Sequence, residues 1–225
     1  MNYPIILSPT NKPLHQFSIS IYEKNKRIGA SELVSFSRIL KLGVNSIRED
    51  VSIKINGHQY EPDFAYVNEE KGVFIDIEID EPYSYAQHPT HYITKQRVHK
   101  DAKRNEIFCN AGWYVVRFTE QQMFCETASC LKVIFEILQN LGLDETMPNS
   151  LLNASRLKTV PVWTFSESQE YATKHFRKSY MGYEPVNMDF SSYLRCCLLI
   201  IPIIFQSVTN NRLRRLFVKQ LKRFF

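Results

Sequence analysis

The stretch that most constrains this chain is Gly72-Val73-Phe74-Ile75-Asp76-Ile77-Glu78-Ile79-Asp80-Glu81. It alternates strictly, so as a strand it puts Ile75, Ile77 and Ile79 on one face and Asp76, Glu78 and Asp80 on the other. The isoleucine row calls for a core. The acid row is harder to accommodate, because side chains two apart on a strand stand about 6.5–7 Å from each other and three like charges repel. Something positive is expected over it, most simply a divalent metal ion held by oxygen ligands. The competing reading is an edge strand whose charges guard against aggregation.

Around this strand the pattern alternates between helix and strand. Gln16–Tyr22 reads as a strand, and Ser31–Lys41 as a helix with Leu33, Phe36 and Leu40 on one stripe and Gly43 as its stop. Glu32 falls in the first turn of that helix, where a carboxylate is favoured by the dipole. Val51–Ile55 is a short strand and Asn56-Gly57 a tight-hairpin signal. His58–Val67 reads as the next strand, with Pro62 marking an edge or a bulge. Asp63 and Glu78 are thus expected on neighbouring antiparallel strands, within about 4.5–5.5 Å if directly opposite.

Glu81–Thr94, with two prolines, two histidines and three tyrosines, is a loop placed where function commonly lives. Lys95–Cys109 reads as a charged helix packing through Val98, Ala102, Ile107 and Phe108. Trp113–Phe118 is an apolar strand suited to the middle of a sheet. Thr127–Leu141 is a helix with Leu131, Ile134, Phe135 and Leu138 in its buried stripe. The polar stretch 147–161 is the best linker, and Ser166–Gln169 reads as a capping box opening a helix to about Ser179.

The pI near 8.9 belongs to the end of the chain. Seven cations and no acid follow Asp189, so the preceding residues carry a net −2 against +5 for the whole. Basic charge is therefore no argument that the body binds nucleic acid. The ten-residue run Cys196–Phe205 is too short for a spanning helix, which needs about 20 residues. The amphipathic stretch Arg212–Phe225 after it fits attachment at an anionic membrane surface. Its rivals are docking on the body, a nucleic-acid-binding arm and a helix for a partner protein. Five cysteines without CxxC spacing, and no signal peptide, point to free thiols in a reducing cytoplasm, peripheral to the membrane if the tail binds there.

The sequence has no GxxxxGK[ST], GxGxxG or GxSxG, which sets aside the commonest nucleotide-binding and hydrolase motifs. What it does have is an ordered set. Pro62-Asp63 is followed by Glu78-Ile79-Asp80, then His88 or His91, then Asp101-Ala102-Lys103-Arg104, then Gly112-Trp113-Tyr114-Val115-Val116-Arg117-Phe118. In that order and spacing, residues 31–140 resemble the PD-(D/E)XK nuclease superfamily, and most closely its Vsr-like (very-short-patch-repair-like) branch. The Lys expected two positions after the second acid is absent, as it is in that branch.

The resemblance implies an α/β fold with a restriction-endonuclease-like core, a mixed central sheet flanked by helices, and a helical C-terminal extension. The expected division is a nuclease domain over 1–146, a linker over 147–161 and an extension over 162–225. It implies a Mg²⁺-dependent endonuclease acting on DNA or RNA, Mn²⁺ substituting, with a role in repair or defence. Asp63 and Glu78 would be metal ligands, joined by Asp76 and Glu32, with Asp80 completing the catalytic set. Whether Asp76/Glu78 or Glu78/Asp80 is the pair stays open. His91, Lys103 or Arg104 would replace the missing Lys, and the plainer role for Arg104 is an ion pair with Asp101 on its own helix. A homodimer is compatible with all of this. The alternative is a catalytically impaired binding module, held to a membrane or partner by residues 190–225.

Overall fold

A computed structural model describes residues 1–10, 16–21, 30–44 and 46–182, without the side chains of 21, 30–33, 36 and 40. The chain divides into two units, Met1–Pro185 and Val186–Phe225, and everything described belongs to the first. The apolar run, the basic tail and the membrane reading built on them lie outside the described residues, as does the side chain of Glu32.

In chain order the elements are β1 (Asn2–Tyr3), β2 (Ile5–Leu7), β3 (Phe17–Ile21), α1 (Ala30–Lys41), β4 (Ile47–Arg48), β5 (Val51–Ile55), β6 (His58–Tyr60), β7 (Phe64–Asn68) and β8 (Val73–Asp80). There follow α2 (Ala102–Asn110), β9 (Tyr114–Thr119), α3 (Glu120–Cys125), α4 (Thr127–Asn140), α5 (Asn149–Leu152), β10 (Val160–Pro161), α6 (Phe165–Thr173) and α7 (Phe176–Met181). The fold is mixed α/β. Its central sheet has five strands in the order β2-β9-β8-β7-β4, with β8 parallel to β9 and the other pairs antiparallel. A second sheet runs β3-β5-β6. Among the described residues no helix is long and apolar enough to cross a membrane.

The alternation of β8 decides where each face goes. Ile75, Ile77 and Ile79 enter the larger core with Phe64 and Tyr66 of β7, Val116 and Phe118 of β9, and the Leu131, Ile134, Phe135 and Leu138 stripe of α4. The opposite face is covered too: Ala65 and Val115 pack there with Phe108 of α2, Trp113 and the β5 residues Val51, Ile53 and Ile55. The acid row therefore lies inside the molecule, and β8 is an interior strand rather than a guarded edge.

Several local expectations shift. The strand read over His58–Val67 is two strands in different sheets, and Glu61-Pro62-Asp63 forms the corner between them, because a proline cannot donate to a ladder. Asn56 and Gly57, with φ of 51° and 83°, make the β5–β6 hairpin. The helix read over Lys95–Cys109 begins only at Ala102. Before it, Thr94 N–H donates to the Val98 carbonyl and Arg97 N–H to the Thr94 carbonyl, a turn with Arg97 at φ 58°. The cap of α6 is Thr164 with Glu167, two residues ahead of the expected start, and the helical run breaks at His175.

Both termini of the expected nuclease domain are drawn differently. The N-terminal residues contribute β2, which pairs with β9 at the sheet edge, and β1, which pairs with β10. The 147–161 stretch, read as a linker, contributes Leu151 and Leu157 to the larger core and β10 to that pair. Two buried leucines in a polar stretch are enough to anchor it, and the compact unit continues to Pro185.

Candidate active site

The acid row is matched by guanidinium groups. Arg104, one turn into α2, donates from Nη1 to Asp76 Oδ2 (2.6 Å), and from Nη2 to Asp76 Oδ1 (3.1 Å) and Glu78 Oε1 (2.6 Å). Its guanidinium lies over the Phe108 ring, 4.4 Å from the centroid. Arg117 stands beside Glu78 in the parallel β8–β9 register. It donates from Nε to Asp80 Oδ2 (2.9 Å), from Nη2 to Asp80 Oδ1 (2.5 Å), and from Nη1 to Asn105 Oδ1 (3.0 Å). The plainer role expected for Arg104, a pair with Asp101 on its own helix, is not what it does. Asp101 instead holds His91 Nδ1 at 2.7 Å, and Arg104 reaches across to the sheet.

His91 sits at the centre of the remaining charge. Its Nδ1 is 3.3 Å from Asp80 Oδ1, and its Nε2 is 3.7 Å from Glu81 Oε2. His99 completes the ring around Asp80. Its Nδ1 accepts from the Asp101 N–H (3.2 Å), which places the ring proton on Nε2, 3.6 Å from Asp80 Oδ2. The Tyr3 hydroxyl donates to the same oxygen at 2.7 Å. Asp63, at the β6–β7 corner, accepts from the Ile79 N–H at 2.7 Å, one residue before the β7–β8 ladder begins at Phe64↔Ile77.

These contacts separate the carboxyls electrostatically. Burial alone would raise the Asp80 pKa, but His91, Arg117 and the bonds from His99 and Arg117 outweigh it and hold Asp80 well below the ordinary carboxylate range. At Asp76 burial prevails over Arg104, and Glu78 adds repulsion, so its pKa is pushed up to about 7. Burial pulls the His91 imidazole down, while Asp80, Asp101 and Glu81 together lift it well above its usual value.

The carboxylates around His91 thus favour its charged form. A raised histidine contributes stability that is fully present below its unfolded value of about 6.5 and is lost as pH rises through the folded value. His91→Gln is expected to cost most below pH ~6.5, with the gap to wild type closing on the alkaline side. Titrating the imidazole nitrogens by NMR checks this directly; a midpoint at or below the ordinary value would overturn it.

The residues singled out from the sequence divide clearly, and of the three candidates for the missing Lys, Lys103 is exposed. Asp76, Glu78, Asp80, His91 and Arg104 meet in one network, and Asp63 adjoins it through β8. Glu32 lies on α1, its side chain outside the description. Sequence reasoning missed Tyr3, His99 and Asn105 as members, and gave Arg117 no role. A lone arginine inside the apolar strand WYVVRF was the available signal for Arg117; Tyr3 had none.

As metal ligands the acids are unequal. Both oxygens of Asp76 and both of Asp80 accept from guanidinium groups, so the expectation that Asp76 is a ligand meets a carboxylate already engaged. Among the described residues, no group of three or more His, Cys, Asp and Glu is arranged to hold a metal ion. Glu78 keeps Oε2 outside hydrogen-bond range, 3.9 Å from Arg117. Mg²⁺ needs only one or two carboxylates and keeps waters for the rest. Asp63, at the corner before β7, and Glu78 of β8 are oxygen donors of the kind that requirement calls for. Compared with family models, with curated proteins and with solved structures, the chain has no match in any of the three.

Proposed function

We propose that this chain is a metal-dependent nuclease that hydrolyses phosphodiester bonds, in DNA, on a restriction-endonuclease-like core. The observation that carries the reading is that Asp63 accepts from the backbone N–H of Ile79, next to Glu78, on the strand whose acids meet Arg104, Arg117 and His91. Carboxylates for a hard cation stand next to fixed positive groups, the combination that phosphodiester hydrolysis requires. The ordered resemblance to the Vsr-like branch supports the same conclusion.

Asp63 and Glu78 would hold Mg²⁺, which when bound neutralises the phosphate and lowers the pKa of a water nucleophile. The protein's own groups do the rest. The carboxylates around His91 favour its charged form, which suits it to donate a proton to a phosphate or leaving oxygen. Arg104 and Arg117 are positioning residues. They hold Asp76 and Asp80 in fixed geometry and set the orientation of Glu78 between them.

The saturation of Asp76 and Asp80 by guanidinium groups favours a second reading, a catalytically impaired binding module on the same core. One experiment separates the two. Wild type, Asp63→Asn and Glu78→Gln are incubated with plasmid and single-stranded DNA in Mg²⁺ or Mn²⁺. Cutting by wild type is expected, lost in both variants, and reduced about 10²–10⁴-fold in His91→Gln. No cutting by wild type, or equal cutting by all the proteins, would transfer the weight to the binding module.

A further inference from the structure

The segment that carries the site's inward groups also carries a row of outward cations. His99, Asp101 and Arg104 turn into the network around Asp80 and Glu78. Between them, Lys95, Arg97, Lys100 and Lys103 are all exposed, and among the described residues none of the four makes an ion pair. Asp101 is the single acid within 95–103, and its carboxylate is spent on His91; Glu106 follows one turn later on α2. This concentration stands out in a body that is net negative. Four cations in nine residues without an ion pair repel one another, whereas a polyanion releasing counterions would draw on all four.

The backbone fixes these cations relative to the site. The Thr94–Val98 turn places Arg97 at its apex with φ 58°, and the Lys100 ammonium lies 5.7 Å from the centre of the Tyr92 ring. Ile93 bridges both His99 and Thr164, which ties the base of the loop to the start of α6. Three of the cations are therefore carried by a braced loop, and Lys103 by the first turn of α2, on a segment whose inward groups belong to the candidate active site.

We propose that Lys95, Arg97, Lys100 and Lys103 form the phosphate-docking edge for a nucleic-acid backbone, DNA in the first instance, delivering a phosphodiester toward Glu78 and His91. This rests on the nuclease reading and adds where the substrate lies. Contacts of this kind position a duplex without reading its sequence.

The test uses the full chain and a fluorescently labelled 20-base-pair duplex, with anisotropy measured in EDTA from 50 to 200 mM KCl. Each neutralised phosphate contributes about 0.9 to the slope of log affinity against log salt. The quadruple variant K95Q/R97Q/K100Q/K103Q is expected to bind at least tenfold more weakly at 50 mM, with a slope about 3–4 units shallower, and to keep the wild-type circular dichroism and melting curve. E78Q is expected to bind like wild type while failing to cut. An unchanged affinity and slope in the quadruple variant would overturn the docking edge even if wild type cuts DNA. Salt-dependent binding lost in the quadruple variant without any cutting would keep the edge and remove the nuclease. No binding by wild type would remove both.

Discussion

Arg117→Ala is expected to destabilise the protein by about 3–5 kcal/mol, because it leaves a buried carboxylate without its bidentate guanidinium partner. Arg117 and Asp80 are both fully buried. The guanidinium meets Asp80 with two parallel N–H donors and spends a third on Asn105. Truncation strands Asp80 with Tyr3, His91 and His99, and strands the Asn105 carbonyl as well. Arg117→Lys is expected to recover only part of the loss, since an ammonium supplies a point charge and not a planar fork. The pH dependence gives a second readout. A carboxylate held below its unfolded value contributes stability that is present above about pH 4 and lost as pH falls further. Removing Arg117 raises the Asp80 pKa toward its unfolded value, so this contribution shrinks and the gap to wild type should narrow as pH falls below about 4. Urea unfolding from acid to neutral pH measures both effects. A variant as stable as wild type would mean that the remaining neighbours satisfy Asp80 alone.

Arg177→Ala is expected to cost a similar 3–5 kcal/mol, at a second buried pair outside the candidate site. Arg177 donates from Nε to Glu120 Oε2 (2.7 Å) and from Nη2 to Oε1 (2.5 Å), and Glu120 also accepts from the Tyr180 hydroxyl at 2.6 Å. The same arginine donates its backbone N–H to the Tyr83 hydroxyl (2.9 Å) and Nη1 to the Tyr83 carbonyl (3.1 Å). One side chain thus joins α7, the start of α3 and the loop leaving β8. The double variant Arg177→Met/Glu120→Leu should be markedly less destabilised than the sum of its single variants, because no charge is left buried alone. Additive losses in that cycle would show that the pair is not coupled.

How much of this was legible in the sequence depends on the range of the interaction. The Ile75, Ile77 and Ile79 row, the α4 stripe and the Asn56-Gly57 hairpin were read correctly because each is set by neighbours a few residues away. So was the antiparallel β7–β8 hairpin, whose ladder begins at Phe64, the residue after Asp63. The acid row was read correctly as needing positive charge, but the simplest supplier proposed, a metal ion, is not what the described residues place over Asp76 and Asp80. The counter-charges come from Arg104 and Arg117, 28 and 37 residues downstream of their acids. Arg104 misled because Asp101 is a helix-spacing neighbour, and local spacing does not reveal that another strand offers two carboxylates.

The linker reading of 147–161 failed for a related reason. Polar composition is a property of the stretch, while burial of Leu151 and Leu157 is a property of what lies against it. Tyr3 was invisible because its site role depends on a terminal segment adding to the far side of β9. By itself the sequence determined the two-faced character of β8, since the period of a strand is set by the backbone and each residue's face follows from its number. Only the tertiary structure decided what meets each face, because strand order and the parallel β8–β9 register bring together side chains whose separation along the chain carries no signal.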